Sequence, residues 1–346
     1  MRCLSLAEVL RERGAHCRFI CRNHPGNLNK EIGQRGFEVI DLPFDDKWIG
    51  TDVTNPAHAA WLGVDWKIDA EQTKVVAVGS AIDWLIVDHY AIDTHWESVL
   101  MPHYRKLMVV DDLADRPHLC DLLLDQTYGR KTTDYRSLVP DACSLLCGSQ
   151  YALLRHEFAT LRPYSLKRRA IPALRELLIT MGGIDNDNVT GQVLQALRTC
   201  LLPADCRITI IMGSSAPWIS EVRKQAQDML WPTRVLVGVS NMAQLMAESD
   251  LAIGAAGTTS WERCCLGLPT LIVLLAENQR NGAATLDHSG NAKLLGGVDD
   301  ILQTLPRMFT LISQTNILSQ LSIRSRSIVD GQGANLVVNA LDDRHD

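Results

Sequence analysis

Short apolar runs alternate with helix-length segments along most of the chain, and this alternation constrains the fold more than any other feature. The runs are rich in Leu, Ile and Val, and each stops at a carboxylate, a turn or a glycine. They include residues 85–87, 107–110, 122–124, 177–181, 207–212, 251–253 and 269–275. Strands that are apolar throughout are typically buried on both faces, as in parallel sheets with helical crossovers. The sequence therefore predicts an α/β fold.

The length of 346 residues predicts two domains, since single domains usually contain about 100–200 residues. Pro163, a basic cluster at residues 167–169 and Pro172 interrupt the periodicities of both strands and helices. We therefore expect two Rossmann-like domains, 1–160 and 165–346, with a cleft between them.

The beginning of the chain has the pattern of an amphipathic helix. Leu6 and Leu10 share one face, and Gly14 is a typical residue for ending such a helix. A doubly wound domain normally begins with a strand, whose carboxyl end carries a ligand-binding loop. The sequence therefore predicts a first domain that lacks its leading strand, or a natural start upstream of residue 1.

Charge and composition argue against several functions. The net charge of −6 and a pI near 5.9 do not fit a nucleic-acid surface, which needs clustered Lys and Arg. No apolar run has the roughly 18 residues of a membrane span. The ten cysteines include no Cys-x-x-Cys pair, and the histidines show no His-Glu-x-x-His spacing, so no metal site is predicted. With no recognisable secretion signal, we expect a protein of the reducing cytoplasm.

Two loops that follow apolar runs have the composition of a nucleotide-binding site. Residues 254–262 (GAAGTTSWE) combine small residues, hydroxyls and a carboxylate at the start of a predicted helix, and residues 179–188 (ITMGGIDNDN) are similar. Free N–H groups at a helix start can hold a phosphate, and Glu262 could accept hydrogen bonds from ribose hydroxyls. The alternative interpretation of each loop is a tight turn with side-chain capping. The absence of a P-loop lysine, of G-x-G-x-x-G and of G-x-S-x-G argues against an ATPase, a dehydrogenase and a serine hydrolase.

Acidic residues follow two apolar runs of the first half. Asp88 ends one run, and Asp111 and Asp112 end the next. Asp88 could position a sugar hydroxyl or a water, or it could cap the helix predicted near Asp93. Asp111 and Asp112, with Arg116 nearby, indicate either a paired-carboxylate site or a salt-bridged turn.

Several motifs, taken in order, resemble one family. They are residues 1–7 (MRCLSLA), 21–26 (CRNHPG), 87–90 (VDHY), 111–116 (DDLADR), 151–155 (YALLR), 180–183 (TMGG) and 260–269 (SWERCCLGLP). Together they look like the UDP-2,4-diacetamido-2,4,6-trideoxy-β-L-altropyranose hydrolases of pseudaminic acid biosynthesis, over nearly the whole chain. The resemblance implies a GT-B-type arrangement in which the C-terminal domain holds UDP and the N-terminal domain faces the sugar. It also implies hydrolysis of the anomeric C–O bond, without a metal or cofactor, which releases UDP and the free sugar.

The resemblance further assigns residues to parts of the substrate. Those expected at the nucleotide are Glu262 at the ribose, Gly257, Thr258 and Thr259 at the diphosphate, and the main chain near Val239 at the uracil. Those expected toward the sugar are Asn278 and Gln279, close to the sugar–phosphate, Arg155, and Asp88 in support of catalysis.

The sequence departs from this family at its start. The family's first strand–helix loop reads Gly-x-Gly-His-x-Met-Arg, and its His is the proposed base that activates water. Met1 and Arg2 match the last two positions, so the catalytic His would lie upstream of residue 1, and none of the ten histidines replaces it by position. We therefore expect the chain as written to be unstable or nearly inactive. The alternative functions are a UDP-sugar-dependent GT-B glycosyltransferase, or a UDP-binding protein without activity.

Overall fold

The apolar runs form parallel strands, and the segments between them form helices, which confirms the predicted α/β fold. The structure, a computed structural model, describes residues 1–45 and 58–342, without the side chain of Asn278. The strands are β1 (Arg18–Arg22), β2 (Glu38–Leu42), β3 (Trp84–Val87), β4 (Lys106–Val110), β5 (Leu122–Asp125), β6 (Ser144–Cys147), β7 (Glu176–Thr180), β8 (Arg207–Met212), β9 (Thr233–Val237), β10 (Leu251–Ala255), β11 (Thr270–Leu274) and β12 (Lys293–Gly297). The helices are α1 (Arg2–Glu12), α2 (Asn29–Gln34), α3 (Trp66–Ala77), α4 (Thr94–Leu100), α5 (His156–Arg168), α6 (Val189–Leu197), α7 (Ile219–Gln227), α8 (Met242–Glu248), α9 (Thr259–Cys265), α10 (Arg280–His288), α11 (Ile301–Gln314), α12 (Ile317–Ser325) and α13 (Gly333–Asp342).

The described residues form two compact units. Unit 1 comprises residues 1–45, 58–153 and 334–342, and unit 2 comprises residues 154–333. Each unit has its own parallel strands and its own buried apolar clusters.

Aspartates set the starts of two helices in unit 1. Asp65 accepts a hydrogen bond from the main-chain N–H of Lys67 at 2.9 Å, where α3 begins. Asp93 accepts one from the main-chain N–H of His95 at 2.9 Å, where α4 begins. An aspartate at this position satisfies a helix N–H that would otherwise lack a partner. Because Asp93 caps α4, Asp88 is left for another role.

The strands of unit 1 fall into two parallel sheets. One consists of β1 and β2, and the other has the order β3-β4-β5-β6; no strand hydrogen bond joins the two sheets within residues 1–45 and 58–342. Helix α1 packs against both, since Leu6 belongs to one apolar cluster with Met108 of β4, while Leu4 belongs to another with Phe37. The missing leading strand that the sequence predicts for this unit stays a prediction.

The last described helix, α13, packs in unit 1. Val337, Val338 and Leu341 are buried in the same cluster as Met108 and Leu122. The predicted second domain, 165–346, includes this helix, whereas the structure places it with the first unit. The apolar face of α13 could be recognised in the sequence, but such a face does not tell which sheet it covers.

Removing the contact of α13 with unit 1 should destabilise the protein. We expect Leu341→Ala to lower the free energy of unfolding by about 2–5 kcal/mol, because it leaves a cavity in a fully packed cluster. The control is Leu336→Ala on the same helix, where the side chain is 39% exposed and its loss should change stability by less than about 0.5 kcal/mol. Urea-induced unfolding of both variants measures the difference, and equal losses would contradict the packing of α13 in unit 1.

Unit 2 contains one parallel sheet with the order β12-β11-β10-β7-β8-β9 among the described residues. From β7 the chain moves outward through β8 to β9, and it then returns to place β10 on the other side of β7. The strand order therefore reverses between β7 and β10. In open α/β sheets a crevice forms outside the carboxyl ends of the strands at such a reversal, and ligands bind there.

Candidate functional site

The reversal of strand order in unit 2 lies between the two loops that the sequence analysis selected. The loop after β7 begins at Met181, and the loop after β10 begins at Ala256. Gly254 on β10 is paired in register with Thr180 on β7, so both loops leave the sheet side by side. The topology thus places both candidate loops at the edge where a ligand would be expected.

The loop after β10 leaves its tip open. Gly257 and Thr258 are exposed, and Thr259 is half-buried at the first position of α9. The main-chain N–H of Gly257 points to Ser260 Oγ at 3.4 Å, and the N–H of Ser260 donates to Gly257 O at 2.9 Å. No side chain of the described residues caps α9. The tip is therefore a tight turn that remains accessible.

Glu262 lies on α9 directly behind this loop. Its side chain is only 16% exposed, and one carboxylate oxygen lies 3.4 Å from the guanidinium of Arg155, which is also 2.8 Å from Glu157. Burial raises the pKa of Glu262, while the charges of Arg155 and Arg263 oppose this rise. A carboxylate that is both desolvated and flanked by two cations is a strong hydrogen-bond acceptor.

The loop after β7 is different, because its own side chains occupy the start of α6. Asp185 accepts from the main-chain N–H groups of Val189 and Thr190 at 2.8 and 3.0 Å, and Asn188 accepts from that of Gly191 at 3.2 Å. These N–H groups are therefore not available to a phosphate. Of the two interpretations left open by the sequence, the structure shows a capped turn here.

Close main-chain packing holds this capped turn next to the end of β8. A β-carbon added at Gly213 would lie 2.0 Å from the carbonyl oxygen of Gly183, so only glycine fits there without a shift of the backbone. We expect Gly213→Ala to lower the free energy of unfolding by about 1–3 kcal/mol. The matched control is Gly183→Ala, whose added β-carbon would meet nothing within 4 Å. Thermal unfolding of the two variants checks the difference; a loss of the same size in both would refute it.

The other residues assigned to the nucleotide and sugar–phosphate lie on loops of unit 2. Val239 is half-buried, two residues after β9. Gln279 closes the short 3-10 turn Glu277–Gln279, and its side-chain oxygen lies 3.5 Å from the main-chain N–H of Leu275. Asn278 is in the same turn, but its side chain lies outside the described residues. Arg155, expected at the sugar, belongs to unit 2 and pairs with Glu262.

Unit 1 has a cluster of charged side chains at the carboxyl ends of β3 and β4. Arg2 donates to both oxygens of Asp88, at 3.0 and 2.6 Å, and to Asp112 at 3.3 Å. The hydroxyl of Tyr90 donates to Asp112 at 2.9 Å, and Cys3 Sγ donates to Asp88 at 3.2 Å. The first residues of α1 thus complete a site whose other members lie in the loops that follow two adjacent strands.

Electrostatics keep Asp88 ionised. Burial alone would raise the pKa of this carboxyl, but the hydrogen bonds and charge of Arg2, together with Cys3, hold it below its usual value. Burial and the charge of Asp112 raise the pKa of Tyr90, so its hydroxyl keeps its proton. The cluster therefore offers an anion, a cation and a neutral hydroxyl, a set that can orient sugar hydroxyls or a water.

The adjacent carboxylates Asp111 and Asp112 have separate roles. Asp111 is fully buried, 3.0 Å from the guanidinium of Arg116, and it accepts from the main-chain N–H of Ala114 at 2.9 Å. Asp112 joins Asp88 in the cluster with Arg2. The structure therefore shows a salt-bridged turn at Asp111 rather than a paired-carboxylate site.

Two arginines of these clusters were not predicted from the sequence. Arg2 was recognised only as part of a motif, and its partner Asp88 is 86 positions away. Arg263 follows Glu262 on a short helix, where an arginine usually faces solvent, yet its side chain is almost completely buried.

Among residues 1–45 and 58–342, no group of three or more His, Cys, Asp or Glu side chains is placed to hold a metal ion. No helix in the same residues is long and apolar enough to cross a membrane.

Comparison with known families and proteins places this architecture among enzymes and proteins of sugar metabolism. A sequence model of the glycosyltransferase family 28 C-terminal domain matches residues 177–299. The UDP-2,4-diacetamido-2,4,6-trideoxy-β-L-altropyranose hydrolase of Campylobacter jejuni is 31% identical over 207 residues, which are 60% of this chain and 71% of that protein. The spore coat polysaccharide biosynthesis protein SpsG of Bacillus subtilis is 28% identical, over 58% of each chain. The chain thus spans less than two thirds of SpsG.

Solved structures with the same fold have low sequence identity. MurG of Acinetobacter baumannii superposes with a TM-score of 0.59 at 14% identity, over 99% of this chain and 95% of that one. The UDP-GlcNAc 2-epimerase of Neisseria meningitidis, solved with UDP-GlcNAc, gives a TM-score of 0.60 at 12% identity, over 99% and 98%. These similarities show the α/β fold class shared by GT-B glycosyltransferases and epimerases.

Proposed function

This chain belongs to the family of the UDP-2,4-diacetamido-2,4,6-trideoxy-β-L-altropyranose hydrolases, and on that premise we propose that it hydrolyses a UDP-linked diacetamido-trideoxy sugar. Water attacks the anomeric carbon as the C–O bond to the phosphate breaks. The bonding electrons pass to the β-phosphate oxygen of UDP, and the water proton goes to a base or to solvent. The products are UDP and the free sugar, which places the reaction in nonulosonic (pseudaminic) acid biosynthesis.

The observation that carries this proposal is the buried Glu262 behind an exposed glycine–threonine turn at the reversal of strand order. A carboxylate flanked by Arg155 and Arg263 suits the two ribose hydroxyls, which donate hydrogen bonds. Gly257, Thr258 and Thr259 then contact the diphosphate, because a turn of small residues lets a phosphate approach the main chain.

The remaining assignments complete the nucleotide site and the sugar side. The main chain near Val239 meets the uracil, and Asn278 and Gln279 lie near the sugar–phosphate. Arg155 and Asp88 act toward the sugar, where the ionised Asp88 accepts hydrogen bonds from a sugar hydroxyl or from the attacking water.

We also propose that this reaction runs in the cytoplasm. No disulfide bond joins cysteines in the described part of the chain, as is usual for proteins of a reducing compartment.

The test is incubation with the UDP-linked sugar alone, in water enriched in ¹⁸O and without an acceptor. We expect release of UDP and free sugar, with the label at the anomeric oxygen of the sugar and none in UDP. Label in the phosphate would indicate cleavage of the P–O bond and would overturn the proposed bond cleavage.

A glycosyltransferase acting on a UDP-sugar is the second candidate, because residues 177–299 match a glycosyltransferase domain. In that case UDP release requires an acceptor, and the incubation with UDP-sugar alone gives none. Binding of UDP measured by calorimetry, with no release in either experiment, would instead indicate a binding protein without activity.

A further inference from the structure

Arg263 is a buried arginine whose guanidinium is only partly hydrogen-bonded. Its side chain is 1% exposed. One terminal nitrogen donates to the carbonyl of Ala255 at 2.7 Å and to Ser260 Oγ at 3.0 Å. The other terminal nitrogen and Nε find no acceptor among the atoms that the structure describes. Buried polar groups without partners are rare in folded proteins and call for an explanation.

The guanidinium lies against the main chain where β10 ends. A β-carbon added at Gly254 would be 2.3 Å from the terminal nitrogen that lacks an acceptor and 2.9 Å from the carbonyl oxygen of Thr180. Glycine at this position thus makes room for Arg263. The charge is therefore located between the ends of β10 and β7, under the loop that carries Gly257 and Thr258.

This charge has no ion-pair partner in the described parts of the chain. Glu262 is the carboxylate that attracts Arg263, but the two side chains form no ion pair. An oxygen of Glu262 lies 3.4 Å from Arg155 instead, and Arg155 is also 2.8 Å from Glu157. Taking a cation out of water without a paired anion is strongly unfavourable. Burial accordingly lowers the pKa of Arg263 to about 10. An anion supplied by a ligand would offset this cost.

We propose that Arg263 is the buried counter-charge for the diphosphate of a bound UDP compound. It acts as a positioning residue: it holds Ala255 and Ser260 and sets the electrostatic potential of the turn at Gly257. The inference rests on the proposed function, since it requires that unit 2 binds a uridine nucleotide. It predicts that Arg263 contributes to binding only through the phosphate groups.

The test compares the affinities of uridine, UMP and UDP for the full chain by calorimetry. In the unsubstituted protein each added phosphate should strengthen binding. In Arg263→Met we expect UDP affinity to fall about 10-fold or more, with uridine affinity within about twofold of the unsubstituted protein. Arg263→Lys retains the charge and should recover part of the lost UDP affinity.

Arg169 provides a matched control. It is a buried arginine of the same unit, at the other end of β10, and its terminal nitrogens donate to the carbonyls of Met246 at 2.9 Å and Ala247 at 3.3 Å. Arg169→Lys should leave the affinities for all three ligands unchanged, whatever its effect on thermal stability.

Two results would be informative in opposite ways. Equal losses of uridine and UDP affinity in Arg263→Met would show a purely structural role and overturn the inference. Absence of UDP binding by the unsubstituted protein would overturn the proposed function instead. If Arg263→Met does not fold, ¹⁵N-arginine NMR of the unsubstituted protein decides, because the Nε–H resonance of Arg263 must shift with UDP and stay unchanged with uridine.

Discussion

Replacing Glu262 by Ala should weaken UDP binding by about 10–100-fold, the loss expected when a hydrogen bond to a charged group is removed. The fold should tolerate the change. Burial raises the pKa of this carboxyl, so its ionised form is unfavourable in the folded protein at neutral pH. Arg155 keeps Glu157 at 2.8 Å after the substitution. Calorimetric titration with UDP, together with a thermal melt, measures both expectations.

The pH dependence of binding gives a second measurement at Glu262. Because its pKa is raised, the carboxyl becomes protonated at a higher pH than an ordinary glutamate, and UDP affinity should fall as pH is lowered through that value. The stability that protonation contributes is lost as pH rises through the same range. The phosphate of UDP also titrates, at about pH 6. The contribution of Glu262 is therefore the difference between the pH profiles of UDP affinity of the unsubstituted protein and of Glu262→Gln. Identical pH profiles would contradict its role.

A control separates this effect from a general loss of negative charge. Glu221→Ala removes an exposed glutamate of α7 in the same unit. Its UDP affinity should equal that of the unsubstituted protein. If Glu262→Ala also retained full UDP affinity, the nucleotide site would have to be sought elsewhere.

Replacing Asp88 by Asn should reduce the turnover of the UDP-sugar by about 100-fold relative to the unsubstituted chain, at the lower end of what a positioned acid–base group contributes. The comparison holds also at the low absolute rate expected for a chain in which no histidine matches the family's base by position. The substitution removes the anion that Arg2 holds at 2.6 Å and leaves Arg2 with Asp112 at 3.3 Å. UDP affinity should stay within about twofold, because the proposed nucleotide contacts are in unit 2. Initial rates of UDP release at saturating UDP-sugar measure the first effect, and calorimetry measures the second.

The other end of the same strand supplies the control for Asp88. Asp83 precedes β3 and pairs with Arg105 at 3.1 Å, with both side chains more than half exposed. Exposed pairs of this kind contribute little, so Asp83→Asn should keep full activity. The low pKa of Asp88 adds a pH criterion: the stabilising pair with Arg2 is present above the usual pKa of an aspartate and is lost only as pH falls through the lowered value. An acid limb near neutral pH that disappears in Asp88→Asn would contradict this assignment.

Local features of the chain predicted the parts of the fold that depend on neighbours in sequence. The apolar runs identified β3, β4, β5, β7, β8, β10 and β11, whereas β6 and β12 were not predicted. Asp88 follows β3 as expected, while β10 extends past the predicted run to Ala255 and so includes Gly254. The pairs that complete the two candidate sites join residues that are far apart in the chain. Arg155 and Glu262 are separated by 107 positions and Arg2 and Asp88 by 86, and no periodicity encodes such contacts.

Hydrogen bonding decided what composition left open. Residues 179–188 and 254–262 have similar small and hydroxyl residues, but Asp185 and Asn188 cap α6, while the turn at Gly257 stays open. Whether a side chain caps its own helix or remains available depends on its rotamer and on the packing around it. A single sequence does not contain that information.

The return of α13 to unit 1 has a consequence for synthesis on the ribosome. Unit 2 is continuous in sequence, from residue 154 to 333, so it can fold as soon as it has left the exit tunnel. Unit 1 is completed later, because Val337 and Val338, which are buried in its core, are synthesised after unit 2. We therefore expect unit 2 to fold before unit 1, with Met108 and Leu122 of the nascent protein exposed to chaperones and proteases until α13 packs against them.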